Sequence, residues 1–334
     1  MERPDPPRTP ATAQRWWRRL VLGVGAVLTV LLARTPDLPK DYLERKYAPS
    51  PSAFVQLPGG ARVHYRDQGS PVHPALVLLH GSNSSLHTWE PWARTLSTTF
   101  RVVTLDLPGH GLTGPVPGDD YSPDGMAAFL DEFRKKLGLQ RFSLAGNSMG
   151  GNVSVRYTLA HPDVVEKLVL LDAGGVNHLL PPQSQPEVPI GFKLIRTPII
   201  NRIASFTTPR NFVEKSTRAV FVDQSLVTNE MVDRYYELLL YPGNRRATRL
   251  RAATSMNLPA ADRLGEIRAP TLIIWGSDDK LVPVAAAEIF HARIPGSRVV
   301  VYPDVGHLPM EEVPARSAAD ALAFVRSGPA GSAL

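Results

Sequence analysis

The 334-residue chain contains no cysteine. This excludes disulfides, a thiol nucleophile and any thiolate-held metal, and leaves the redox compartment unmarked. An excess of acid is also missing: 37 basic residues face 31 acidic ones, for a net charge of +6. That excess is not a basic face, because Arg3, Arg8, Arg15, Arg18 and Arg19 all precede the first apolar run. No basic cluster is backed by a reader fold, so no nucleic acid partner is expected. An apolar run of comfortable membrane-spanning length is lacking too. Leu20 to Ala33 carries no charge, but as a helix it would reach about 21 Å against roughly 30 Å of hydrocarbon.

Apolar residues at 43% and charged residues at 20% match an ordinary globular protein. The length suits one large core with an insertion. Residues 1–47 read as a basic leader, an apolar segment (20–33) and a linker. With Trp16, Trp17 and the arginines ahead of it, this segment has the character of a short membrane anchor. Leu31-Leu32-Ala33 offers only one small residue where signal cleavage prefers two, which favours an anchor over a cleaved signal. Either way the folded part is expected outside the cytoplasm, anchored or secreted. A buried or frayed N-terminal helix is the plain alternative.

Beyond residue 50, short β-rich runs alternate with helical patterns. Candidate strands are 54–56, 62–66, 75–80, 100–105, 141–145, 168–172, 271–275 and 297–302. The inner ones are apolar throughout, as in strands covered on both faces. Ser122-Pro123 and Pro314 have the chemistry of helix starts. The alternation predicts an α/β fold: an eight-stranded, mostly parallel sheet with helices on both faces. Residues 176–259 break the rhythm, with helical patterns at 216–222 and 229–241. They read as a helical cap inserted into a core of residues 48–175 and 260–334.

The sharpest local signal is Gly146-Asn147-Ser148-Met149-Gly150-Gly151, between a strand and a helical pattern. A serine raised on so tight a strand-to-helix turn needs small residues two places to either side. The turn exposes the hydroxyl and aims the start of the next helix at it, so the NH of Met149 can meet a developing oxyanion.

Around this serine the chain resembles the α/β-hydrolase superfamily, from about Phe54 to Val325. His80-Gly81-Ser82 stands where that family has its oxyanion loop, which assigns the second oxyanion donor to the NH of Ser82. Asp106-Leu107-Pro108-Gly109-His110-Gly111 resembles the loop after its next strand. Trp275-Gly276-Ser277-Asp278-Asp279 followed by Pro283 is similar to the acid-bearing loop, and Gly306-His307-Leu308-Pro309 to the loop delivering histidine. The resemblance implies a catalytic triad of Ser148, Asp279 and His307. His307 would take the serine proton and return it to the leaving group, with Asp279 holding its tautomer. No cofactor and no metal are expected.

Other readings compete for the same residues. Gly109 to Gly114 fits a Gly-x-Gly-x-x-Gly pattern, but Pro115 and Pro117 leave no helix N-terminus to receive a pyrophosphate. His80, His110 and His161 read as structural. Asp278 and Asp172 are alternative acids for the triad. Val188 to Phe206 reads as a helix face packed over the sheet, or an acyl-pocket or membrane contact. Arg245, Arg246, Arg249 and Arg251 read as a solvated face, with a substrate carboxylate as the use of any arginine turned inward. The leading expectation is a serine hydrolase of small to medium carboxylic esters. Carbon-carbon hydrolysis of a ring-cleavage product comes second, since Gly-Asn-Ser-Met-Gly-Gly also resembles those enzymes, although the oxyanion loop lacks their glycine run and leucine follows His307 where they have tryptophan. A cofactor-free haloperoxidase-like activity and a membrane-tethered scaffold without catalysis stand behind these.

Overall fold

The computed structural model describes residues 15–17, 19–21, 34–184, 207–254 and 259–327. Eight strands form one sheet: β1 (Ser52–Gln56), β2 (Arg62–Gln68), β3 (Ala75–Leu79), β4 (Arg101–Leu105), β5 (Phe142–Asn147), β6 (Val165–Leu171), β7 (Thr271–Gly276) and β8 (Arg298–Tyr302). Their order is β1-β2-β4-β3-β5-β6-β7-β8. β2 runs antiparallel to both its neighbours and every other pair is parallel. All eight expected strands are present, with ends shifted by a few residues. The inner strands are buried along nearly their whole length, because helices cover both sheet faces.

The helices, in chain order, are α1 (Lys40–Tyr47), α2 (Glu90–Leu96), α3 (Pro123–Lys136), α4 (Met149–Ala160), α5 (Arg210–Arg218), α6 (Asn229–Leu239), α7 (Asn244–Ala253), α8 (Ala285–Arg293), α9 (Pro309–Glu312) and α10 (Pro314–Arg326). α3 begins as its sequence promises: the Ser122 hydroxyl accepts from the Gly125 NH at 3.0 Å, with Pro123 at the first position. Two apolar clusters lie on opposite faces of the sheet. One gathers Val77, Phe133, Leu144, Tyr157, Ile273 and Trp275; the other gathers Leu78, Trp89, Trp92, Val169, Ile274 and Tyr302.

α5, α6 and α7 fall between β6 and β7, in the stretch expected as a cap. Helix 216–222 of the sequence reading is displaced, since α5 starts at Arg210 and ends at Arg218. The segment 188–206 lies outside the described residues. So does most of the apolar run 20–33; of its flank, Trp16 and Trp17 are about 70% exposed. Among the described residues no helix is long and apolar enough to cross a membrane.

The linker is not a loose tether. α1 buries Leu43 and Tyr47 against Leu112, Leu238 and Tyr241. Leu38 N donates to Leu240 O at 2.9 Å, Lys46 and Tyr47 both bond Glu237, and Arg245 pairs with Asp37 at 2.6 Å. Residues 34–47 are thus clasped to the inserted helices. Nothing local in the sequence announces this, because the hydrogen-bonding and charged partners in the inserted helices lie 190 residues or more away.

Candidate active site

Ser148 sits between β5 and α4 with φ 53° and ψ −114°, in the left-handed region that costs an ordinary residue about 1–3 kcal/mol. The turn is held by Ser148 N to Leu171 O at 3.0 Å and Gly174 N to Ser148 O at 2.9 Å. Its flanking glycines are sterically required. A Cβ on Gly146 would come within 2.3 Å of the Gly150 carbonyl oxygen, and one on Gly150 within 2.3 Å of the Leu79 carbonyl oxygen. The local pattern therefore forces the corner, and the corner lifts Ser148 into a half-buried position.

The loop after β3, where the sequence reading expects the oxyanion donors, lies closely against this corner. A Cβ built on Gly81 would meet Ser148 Cβ at 3.1 Å and Asn147 Oδ1 at 2.8 Å. Ser82 is the exposed next residue, and Met149 opens α4 as a buried one. Asp106 braces the loop from below: its carboxylate accepts from Leu86 N at 2.7 Å, Leu112 N at 2.8 Å and His64 Nδ1 at 2.7 Å. The histidines beside this completely buried acid hold it down to about 2 against the cost of burial.

His307 and Asp279 are brought together. The His307 Nδ1–H donates to Asp279 Oδ2 at 2.6 Å, and Asp279 Oδ1 accepts from Leu281 N at 2.8 Å and Val282 N at 3.0 Å. Asp278 is exposed and takes the Ser277 hydroxyl instead, so it is not the acid on the imidazole. The serine corner reaches the histidine loop through its neighbour: Asn147 Nδ2 donates to His307 O at 3.0 Å. Among the described hydrogen bonds none joins Ser148 to His307. Such contacts are often long before substrate binds.

His80, His110 and His161, read as structural from the sequence, make contacts within the fold. His80 Nε2 accepts from Leu107 N, and His110 Nδ1 donates to Pro108 O. Burial holds both well toward the neutral form. His161 packs on Tyr157. The Gly109–Gly114 loop leads into no α-helix: only a single 3-10 turn, Pro117–Asp119, stands between it and α3 at Pro123.

Four residues near the site went unassigned by sequence reasoning or were read differently. Glu312 accepts from Gly306 N at 2.6 Å and Val222 N at 2.8 Å, tying the histidine loop to the insertion. Asn147 acts as just described. Asp172 lies with Asp279 and His307 in one group whose side-chain oxygen and nitrogen atoms are within 4.8 Å of one another. Arg251 is turned inward, unlike the solvated face expected of its helix. Its Nη1 bonds His110 Nε2 at 2.7 Å and its Nη2 donates to Asn83 Oδ1 at 2.9 Å. Burial alone pulls this guanidinium down to about 10, and no described carboxylate pairs with it. Arg234, by contrast, pairs with Glu311 at 3.3 Å. A shallow cleft between the insertion and the loop after β3 is lined by Asn83, Ser84, His110, Tyr235 and Leu238 among others.

The sequence profile of the alpha/beta hydrolase fold family matches residues 74–314. A 2-hydroxy-6-oxononadienedioate/2-hydroxy-6-oxononatrienedioate hydrolase of Pseudomonas putida is 31% identical, over 77% of this chain and 90% of its own length. Among solved structures, a membrane phospholipase A described as a bacterial virulence factor is 28% identical. It superposes with a TM-score of 0.69 over 93% of this chain and 98% of its own. A thermophilic esterase of Thermogutta terrifontis is 25% identical with a TM-score of 0.68, covering 83% of this chain and 98% of that one. With an eight-stranded sheet, a strained serine corner and a profile match across most of its length, this chain is an enzyme that belongs to the alpha/beta hydrolase fold family.

Proposed function

We propose that Ser148 attacks a substrate carbonyl carbon, with His307 as its base, Asp279 as the acid that orients the imidazole, and the NH groups of Ser82 and Met149 as the oxyanion hole. We infer further that the substrate is an anionic ketone from ring cleavage, cut at a carbon-carbon bond. The observation that carries this choice is Arg251, a buried cation behind the oxyanion loop with neutral partners only. A buried charge without a counter-ion is costly, and a substrate carboxylate offsets that cost. The named relative from Pseudomonas putida, a hydrolase of dienedioates, supports the same choice. This ranks carbon-carbon cleavage above the ester hydrolysis that the sequence alone favours.

In this scheme the Ser148 oxygen bonds to the ketone carbon as its proton passes to His307 Nε2. The adduct collapses by breaking the carbon-carbon bond. The electron pair leaves on the dienolate carbon, which takes the proton from His307. Water, deprotonated by His307, then bonds to the acyl carbon, and His307 returns the proton to the Ser148 oxygen as the acid leaves.

Ester hydrolysis is the second reading. It is favoured by the likeness to the phospholipase over 93% of the chain and by His80-Gly81-Ser82-Asn83-Ser84 and Leu308, which depart from the ring-product hydrolases. The deciding measurement is kcat/KM on a dienedioate ring-fission product beside para-nitrophenyl esters of graded length. The ring product should be the better substrate. Arg251→Gln should lower its kcat/KM at least about tenfold more than that of a neutral ester, as loss of a charge contact does. Esters turned over faster than the ring product would transfer the conclusion to ester hydrolysis.

We also propose that the N-terminal segment attaches the protein to a membrane, with the hydrolase outside the cytoplasm. Arg15, exposed Trp16 and Trp17, and Arg19 have interfacial character. The full chain should stay with membranes through an alkaline carbonate wash, and release into the supernatant would refute attachment.

A further inference from the structure

Asp172 follows β6 with φ 45°, and its side chain is completely buried. Its backbone is fixed by Asp172 N to Ile274 O at 3.0 Å. One carboxyl oxygen, Oδ1, accepts from Gly276 N at 3.0 Å; the other, Oδ2, has no partner among the described residues. Asp279, in the same group of atoms, has three donors: two backbone NH groups and the imidazole. Two carboxylates this close in a buried site do not both ionise, and the charge settles where donors are more numerous. That is Asp279. The proton then belongs to Asp172, and Oδ2 is the oxygen left to carry it.

We propose that Asp172 is a neutral carboxylic acid that donates a hydrogen bond from Oδ2 to the Asp279 carboxylate, and so acts as a positioning residue for His307. The donor fixes the carboxylate plane and spreads its charge, without adding a second anion beside the base. The groups facing Asp172 are Asp279, His307 and, farther off, Glu312. Burial first, and then the negative charge of Asp279 and Glu312, push its carboxyl well above the usual range, against the pull of the Gly276 NH. The proposal rests on His307 being the base of Ser148 for its kinetic readout, but not for its spectroscopic one.

The kinetic test is the pH dependence of Ser148 labelling by a fluorophosphonate, whose acid limb reports His307 whatever the natural substrate is. In Asp172→Asn the amide keeps the donor and no charge changes, so the limb should stay within a few tenths of a unit and the rate within about threefold. Asp172→Ala removes the donor and should slow labelling about tenfold or more. A limb that falls by about a unit or more in Asp172→Asn would mean that an anion had been removed and would overturn the proposal. So would an Asp172→Ala protein that labels like wild type. Infrared difference spectra of wild type against Asp172→Asn supply the independent readout. A protonated carboxyl stretch at neutral pH, absent from the variant, supports the assignment, and its absence from wild type refutes it even if Ser148 proves unreactive.

Discussion

Ser148→Ala should cut kcat by about five to six orders of magnitude while leaving the fold intact, as deletion of a serine nucleophile does elsewhere. The reason is local. Among the described hydrogen bonds none uses the hydroxyl, and the turn is held by the backbone bonds of Ser148 to Leu171 and Gly174. Alanine fits the same φ of 53° no worse than serine, so circular dichroism and melting should barely change. Intact mass after fluorophosphonate treatment gives a second reading: one adduct on wild type and none on the variant. Equal turnover by both proteins, on ring products and esters alike, would remove Ser148 from the chemistry.

Asp279→Asn should lower kcat by about ten-thousandfold, whereas Asp278→Asn should stay within about threefold of wild type. An asparagine that donates its NH₂ to the imidazole selects the wrong tautomer, because Nδ1 must then accept and Nε2, already protonated, cannot take the proton that Ser148 needs to give away. The two aspartates are neighbours in sequence and opposite in environment. Asp279 is buried on His307, and Asp278 is exposed on Ser277. Comparable losses in the two variants would mean that both carboxylates serve the imidazole.

These two outcomes also mark the boundary of what was legible beforehand. The corner at Ser148 was readable because its determinants are local: glycines at fixed offsets, a strand before and a helix after. The sheet was readable for a similar reason. Runs such as Ala-Leu-Val-Leu-Leu and Thr-Leu-Ile-Ile-Trp can be satisfied only with both faces covered. The choice between Asp278 and Asp279 rested on family resemblance alone, and the bond to His307 now gives it a physical basis. The proximity of Asp172 was invisible as more than an alternative acid, because it depends on β6 and β7 being neighbours with Asp172 N bonded to Ile274 O.

Arg251 and the linker illustrate the same limit in the insertion. α7 carries five arginine or asparagine side chains in its first eight residues, Asn244, Arg245, Arg246, Arg249 and Arg251, and its composition alone reads as solvated. Only docking against the Asn83 and His110 loops decides that Arg251 turns inward. Likewise the linker 34–47 has no strong signal of its own and gains its order from Glu237, Leu240 and Arg245.

The sequence by itself determined the strand-helix rhythm and the strained serine corner, since each follows from period or steric demand over a few residues; the histidine and the acid were named only by resemblance to the hydrolase family. Tertiary structure alone decided which acid meets the imidazole, where a second carboxyl comes to rest beside it, and which arginine is buried without a counter-charge. Those outcomes depend on distances between segments from 28 to 168 residues apart, and electrostatic energies in a buried site are set by such distances rather than by composition.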